Sequence, residues 1–128
     1  MGFTMILLLA YYNLWEMNIN MKKFDENYVL LEAMVNDGYY PKFLVDKIKT
    51  LIIPVIRLLE NGETNKAIIQ NKLDEMTLAI NDLQEEFEEN DSEIETAARD
   101  SIAVTIGYIL DWFNIDIDME TAIRERDW

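Results

Sequence analysis

The 128-residue chain is long enough for one domain with a single core, and its 50% hydrophobic content separates it from disordered acidic tails. It contains no cysteine and no histidine, which excludes disulfide frameworks, thiolate or imidazole zinc sites, the Glu-x-x-His di-iron bundle and nucleophiles activated by histidine. A net charge of −14 repels phosphate backbones and so argues against nucleic acid as a partner, while it attracts basic proteins or cations and keeps a protein in solution.

The first twenty residues differ from the rest. Phe3–Trp15, FTMILLLAYYNLW, is an uncharged run of thirteen residues, too short for a membrane span of about 20 apolar residues. No Lys or Arg precedes Lys22 and no small-x-small cleavage site follows the run, so it does not read as a secretory signal. Nor does it carry the basic face of a surface-bound amphipathic helix. The sequence MKKFDENY from Met21 has the character of a cytoplasmic N-terminus. Trp15-Glu16 must be encoded with a purine-rich GGGA tract four codons upstream of Met21, as in a bacterial ribosome-binding site. The expectation is an apolar extension at residues 1–20, outside the native start, and a single helical domain at residues 21–128.

From there every periodic segment has helical spacing. A first helix is expected near 26–36, capped by Asp25 or Asn27, with Leu30, Leu31 and Met34 inward and Asp37-Gly38 as its stop. A second begins at Pro41, buries a stripe of Leu44, Ile48, Leu51, Val55 and Leu58 widened by Val45, Ile52, Ile56 and Leu59, is kinked by Pro54 near Thr50–Leu51, and ends at Asn61-Gly62. A third, capped by Thr64, carries a heptad seam at Ile69, Leu73, Met76, Ile80, Leu83 and Phe87. Ser92 with Glu95 forms a capping box for a fourth over about 93–113, whose stripe is Ile94, Ala98, Ile102, Ile106, Ile109 and Phe113. Asp116 or Asp118 caps a short last helix near 119–126. The expected fold is all-α, an antiparallel four-helix bundle with a short fifth C-terminal helix.

One corner of that bundle is crowded with charge. Gln84–Asp100, QEEFEENDSEIETAARD, holds eight carboxylates and one arginine. Asp91, Glu93 and Glu95 fall at a helix N-terminus, where acids are favoured by about 0.3–1 kcal/mol each. Glu95 and Arg99 are spaced as an i,i+4 pair. Glu85, Glu86, Glu88 and Glu89 fall in the last turns of the third helix, where acids are disfavoured, so a partner is sought for them.

One candidate is a hard cation. Glu85, Glu86 and Glu89 fit an E-E-x-x-E pattern that resembles the magnesium-binding helix of all-α nucleotide pyrophosphohydrolases, with Glu95 as a ligand from the next helix. Glu95 and Asp100, however, stand five apart, whereas two ligands on one helical face need three or four. A calcium loop over Asn114–Glu125 is rejected, because the glycine position is Met119 and no exiting helix follows. The other candidate is a basic protein docking on the acids. At a second corner, GYYPKFLVDK places Tyr39, Tyr40 and Phe43 beside Lys42, Asp46 and Lys47. Such aromatics either staple the helix entry to the core or line a pocket.

YYPKFLVDKIK and LQEEFEENDSEIETAARDSIA also resemble the characteristic segments of a small bacterial domain-of-unknown-function family. The likeness runs from about Phe24 to Trp128 and leaves out residues 1–20. It implies a small cytoplasmic helical domain and transfers no functional residues. Taken together, the sequence reads as a non-enzymatic binding or regulatory module without a cofactor. It would contact a basic protein through Glu85, Glu86, Glu88 and Glu89, with Tyr40 and Lys42 as further binding candidates. The alternative is a hydrolase using Mg or Mn on Glu85, Glu86, Glu89 and Glu95.

Overall fold

The computed structural model describes residues 22–128; the expectations for residues 1–20 lie outside them. Every regular element among the described residues is helical: α1 Glu32–Asn36, α2 Lys42–Glu60, α3 Lys66–Asp82, α4 Gln84–Glu89, α5 Thr96–Trp112 and α6 Met119–Ala122. None is long and apolar enough to cross a membrane.

The three long helices follow the apolar periodicity. Leu44, Ile48, Ile52 and Val55 of α2, Ile69, Leu73 and Ile80 of α3, and Ile102, Ile106 and Ile109 of α5 are fully buried in one core. α2 runs through Pro54, whose ring faces water and whose missing N–H leaves the Thr50 carbonyl without its helical donor. α2 and α3 form a hairpin with the most extensive backbone contact in the fold. α5 comes closest along its backbone to α1, which also touches α2, and to α6, which also touches α3.

The helix ends repeat one device. After α2, the N–H of Gly62 bonds Leu59 O and that of Glu63 bonds Leu58 O, at 3.0 and 3.3 Å. The same pair of bonds closes α4 at Asp91 and Ser92, and α5 at Asn114 and Ile115. Each is a Schellman end with its first residue past the cap left-handed: Gly62 at φ 89°, Asp91 at 56°, Asn114 at 57°. Gly38 is not used this way; α1 instead ends on an extended Asp37. The N-terminal cap of α3 is Asn65 rather than Thr64, its side chain accepting from the N–H groups of Ala67 and Ile68. Asp118 caps α6 as expected, but that helix stops at Ala122.

The largest departure lies before α1. Residues 22–31 form a strap along α5 in place of the helix expected from Glu26. Asp25 closes a turn onto Asn27 and Tyr28 and accepts from Tyr108 Oη at 2.6 Å. The Tyr28 and Tyr108 rings stack at 3.9 Å, and Phe24 packs among Tyr28, Tyr108, Trp112 and Phe113. Lys22 bonds Trp112 O at 2.7 Å, and the Trp112 indole N–H donates to Lys23 O at 2.9 Å. At the far end Leu31 takes φ 55°, ψ 39°, a costly conformation for a residue with a Cβ. It is held there by complete burial and by its N–H donating to Thr105 Oγ1 at 3.0 Å.

Candidate functional site

The acid-rich stretch is divided by the backbone. The N–H of Leu83 bonds Ile80 O, three residues back, at 3.0 Å, and the helix restarts as α4. Glu85 and Glu86 therefore lie in the first turn of a separate six-residue helix, which corrects their expected place in the last turns of the third. Phe87 is fully buried and fixes the rotation of α4. At about 100° per residue, Glu85 and Glu89 then point opposite Phe87, with Glu86 and Glu88 on its flanks. Glu85, Glu88 and Glu89 are exposed. Glu86 accepts from Lys47 Nζ at 2.5 and 2.8 Å, a half-exposed pair of α2 and α4.

The expected capping box at Ser92 and Glu95 is not formed. Ser92 is spent in the Schellman end of α4, where its N–H bonds Phe87 O at 2.9 Å and its hydroxyl is buried without a partner among the described residues. Glu95 itself caps α5, accepting from the N–H of Ala97 at 3.1 Å and of Ala98 at 3.2 Å. The same carboxylate accepts from the Tyr40 hydroxyl. That bond, followed by those from the backbone, holds Glu95 below the usual glutamate range. Burial first, and then Glu95, pushes the Tyr40 hydroxyl well above its ordinary value, so it is a fixed donor. The Glu95–Arg99 pair does not form; Arg99 Nε is buried with no partner among the described residues.

The two corners that stand apart in the sequence are thus one region. Tyr40 joins Glu95 and Lys47 joins Glu86, while Phe43, Lys47, Leu51 and Leu83 line a shallow depression of about 370 Å³ next to them. Tyr40 is buried and Lys42 pairs with Asp46 at 2.8 Å in full view of water. Of the residues picked from the sequence, the fold brings Tyr40 to the acidic corner and leaves Lys42 on its own turn of α2. The partner roles of Lys47 and Glu95 went unread, because neither spacing nor composition reports a contact across 39 or 55 residues.

Among the described residues no three acidic side chains stand close enough to hold a metal ion. Glu95, the ligand expected from the fourth helix, has its oxygens engaged by Tyr40 and two amides, and Glu86 by Lys47. The hydrolase alternative is therefore not favoured. Asp118 likewise serves helix capping, accepting from Thr121 N–H at 2.9 Å, and Asp116 faces Lys66 at 3.7 Å.

No curated protein and no solved structure matches this chain. A family model described as a family of unknown function (DUF5713) matches residues 24–128, and the chain belongs to that family.

Proposed function

We propose that this protein is a small cytoplasmic binding or regulatory module that contacts a basic protein partner through Glu85, Glu88 and Glu89, without a cofactor and without catalysis. The observation that carries the reading is the orientation of α4. A single buried anchor, Phe87, turns three carboxylates toward water, and among the described residues none of the three has an ion-pair partner. Glu85 and Glu89 stand i,i+4 on that face and repel each other, an arrangement that a bound cationic surface relieves. Further support comes from the net charge of −14. For the packing we propose the antiparallel four-helix arrangement of α1, α2, α3 and α5, with α4 as a short extension after α3 and α6 as the short C-terminal helix; the shared core and the α2–α3 hairpin support it.

The test is capture of basic proteins by the immobilised full-length chain at physiological ionic strength, repeated with E85Q/E88Q/E89Q. A partner retained by the native chain and lost by a variant with an unchanged circular dichroism spectrum supports the reading. Equal capture by both, or indiscriminate capture of every polycation, overturns it.

A further inference from the structure

A second surface carries a more specific prediction about the same partner. A groove of about 580 Å³ lies between α1 and the N-terminal half of α5. Tyr28, Ala33, Ala97 and Val104 supply its apolar lining, and Glu32 and Asp100 stand on opposite walls. Val104 is 66% exposed, more than any other large hydrophobic residue described. Ala97, Asp100 and Val104 recur at three and four along α5, the spacing of one helical face. The two alanines allow a second backbone to come close.

Charge decides what fits there. Neither Glu32 nor Asp100 has an ion-pair partner among the described residues. Residues 1–21 contain no Lys or Arg, so their side chains bring no cation to this groove. Lys22 is held at the other end of α5 by the Trp112 carbonyl and ring. Charge complementarity therefore favours an occupant that presents apolar side chains and cations together.

We propose that this groove seats an amphipathic helix of a basic protein. Its apolar face would rest on Ala33, Ala97 and Val104, and its Lys or Arg side chains would reach Glu32 and Asp100. Such helix-in-groove contacts are a common mode of peptide recognition. The inference rests on the reading of the chain as a module for a basic partner, and it places the apolar half of that contact.

The chain has no cysteine, so V104C introduces a single thiol in the groove and L78C a control thiol at an exposed position of α3. Maleimide labelling of each full-length variant is followed with and without a synthetic helical peptide that has one leucine face and one lysine face. Saturating peptide is expected to slow V104C about tenfold and leave L78C unchanged, and E32Q/D100N is expected to weaken the peptide about tenfold. Equal slowing at both thiols, or none at V104C, overturns the groove. So does slow V104C labelling before peptide is added. A rate independent of protein concentration then identifies the chain's own residues 1–20 as occupant, and a rate that rises on dilution identifies a second copy. The α4 face is scored separately. If E85Q/E88Q/E89Q leaves V104C protection and partner capture intact, the groove stands and the α4 reading falls. If capture depends on α4 while V104C stays unprotected, the reverse holds.

Discussion

Tyr40 and Glu95 illustrate how two polar groups become affordable together. A buried tyrosine hydroxyl needs an acceptor, and a helix N-terminus needs a carboxylate for its free amides. Glu95 meets both needs. Y40F removes only the donor and leaves the cap, so it is expected to cost about 1 kcal/mol, seen as a lower urea midpoint at neutral pH. An unchanged midpoint would show that this hydroxyl contributes nothing net. The pH dependence follows from the sign of the Glu95 shift. Its folded pKa lies below its unfolded value, so near the acid end the unfolded state binds more protons than the native one. The stabilisation is complete above the unfolded pKa, about 4.3, and is lost as pH falls through the lowered folded value. E95Q should therefore flatten the acid limb of a stability–pH curve, and a limb as steep as that of the native chain contradicts the assignment. Asn114 makes a second residue-scale prediction. It holds φ 57° at the end of α5, a conformation asparagine tolerates better than alanine. N114A is expected to lower stability by about 1 kcal/mol in thermal or urea unfolding, and N114G to be close to neutral.

α4 depends on one side chain. It has six residues, too few to be stable alone, and Phe87 is its buried residue. F87A is expected to cost about 3–5 kcal/mol and to release α4, so that amide exchange rises over Gln84–Glu89 before the long helices open. Uniform exchange across α3 and α4 would mean that the Leu83 interruption does not separate them. At the other end of the molecule, α6 and the segment after it are tied to α3. Arg124 forms a two-pronged contact with Asp74 at 3.1 and 2.7 Å, and Asn81 both donates to Glu125 O and accepts from the N–H of Asp127. These bonds take the chain end back onto the hairpin and cut the last helix short.

The whole molecule carries its charge as self-repulsion. Salt should therefore raise the melting temperature at neutral pH. At fixed ionic strength, Mg, Mn and Ca should then give small and equal shifts relative to a chelator, as screening of an acidic surface requires. A shift of several degrees for one metal, lost in E85Q/E86Q/E89Q, would reinstate the hydrolase reading, because a ligand bound only by the native state at about a hundred times its Kd adds about 2.7 kcal/mol.

Periodicity was enough to read α2, α3 and α5 and nearly all of their buried apolar residues, since a 3.6-residue repeat of apolar side chains is a local property of the chain. The Asn61-Gly62 stop and the Asp118 cap were legible for the same reason. Contacts between distant segments decided the rest. Leu30, Leu31 and Met34 read as a helical face, yet the aromatic strap on α5 gains more by stacking Tyr28 on Tyr108 and bonding Leu31 to Thr105 than by extending α1. Thr64 was read as the cap of α3, where Asn65 serves, and Ser92 as the cap of α5, where Glu95 serves. At the second of these the Schellman turn consumes Ser92 and the Tyr40 hydroxyl stands opposite Glu95. The acidic stretch was visible in the sequence as charge alone. Within it, the capping role of Glu95, the pairing of Glu86 with Lys47 and the outward facing of Glu85, Glu88 and Glu89 came from the tertiary structure, because a carboxylate's role depends on which donors the fold places within hydrogen-bonding distance.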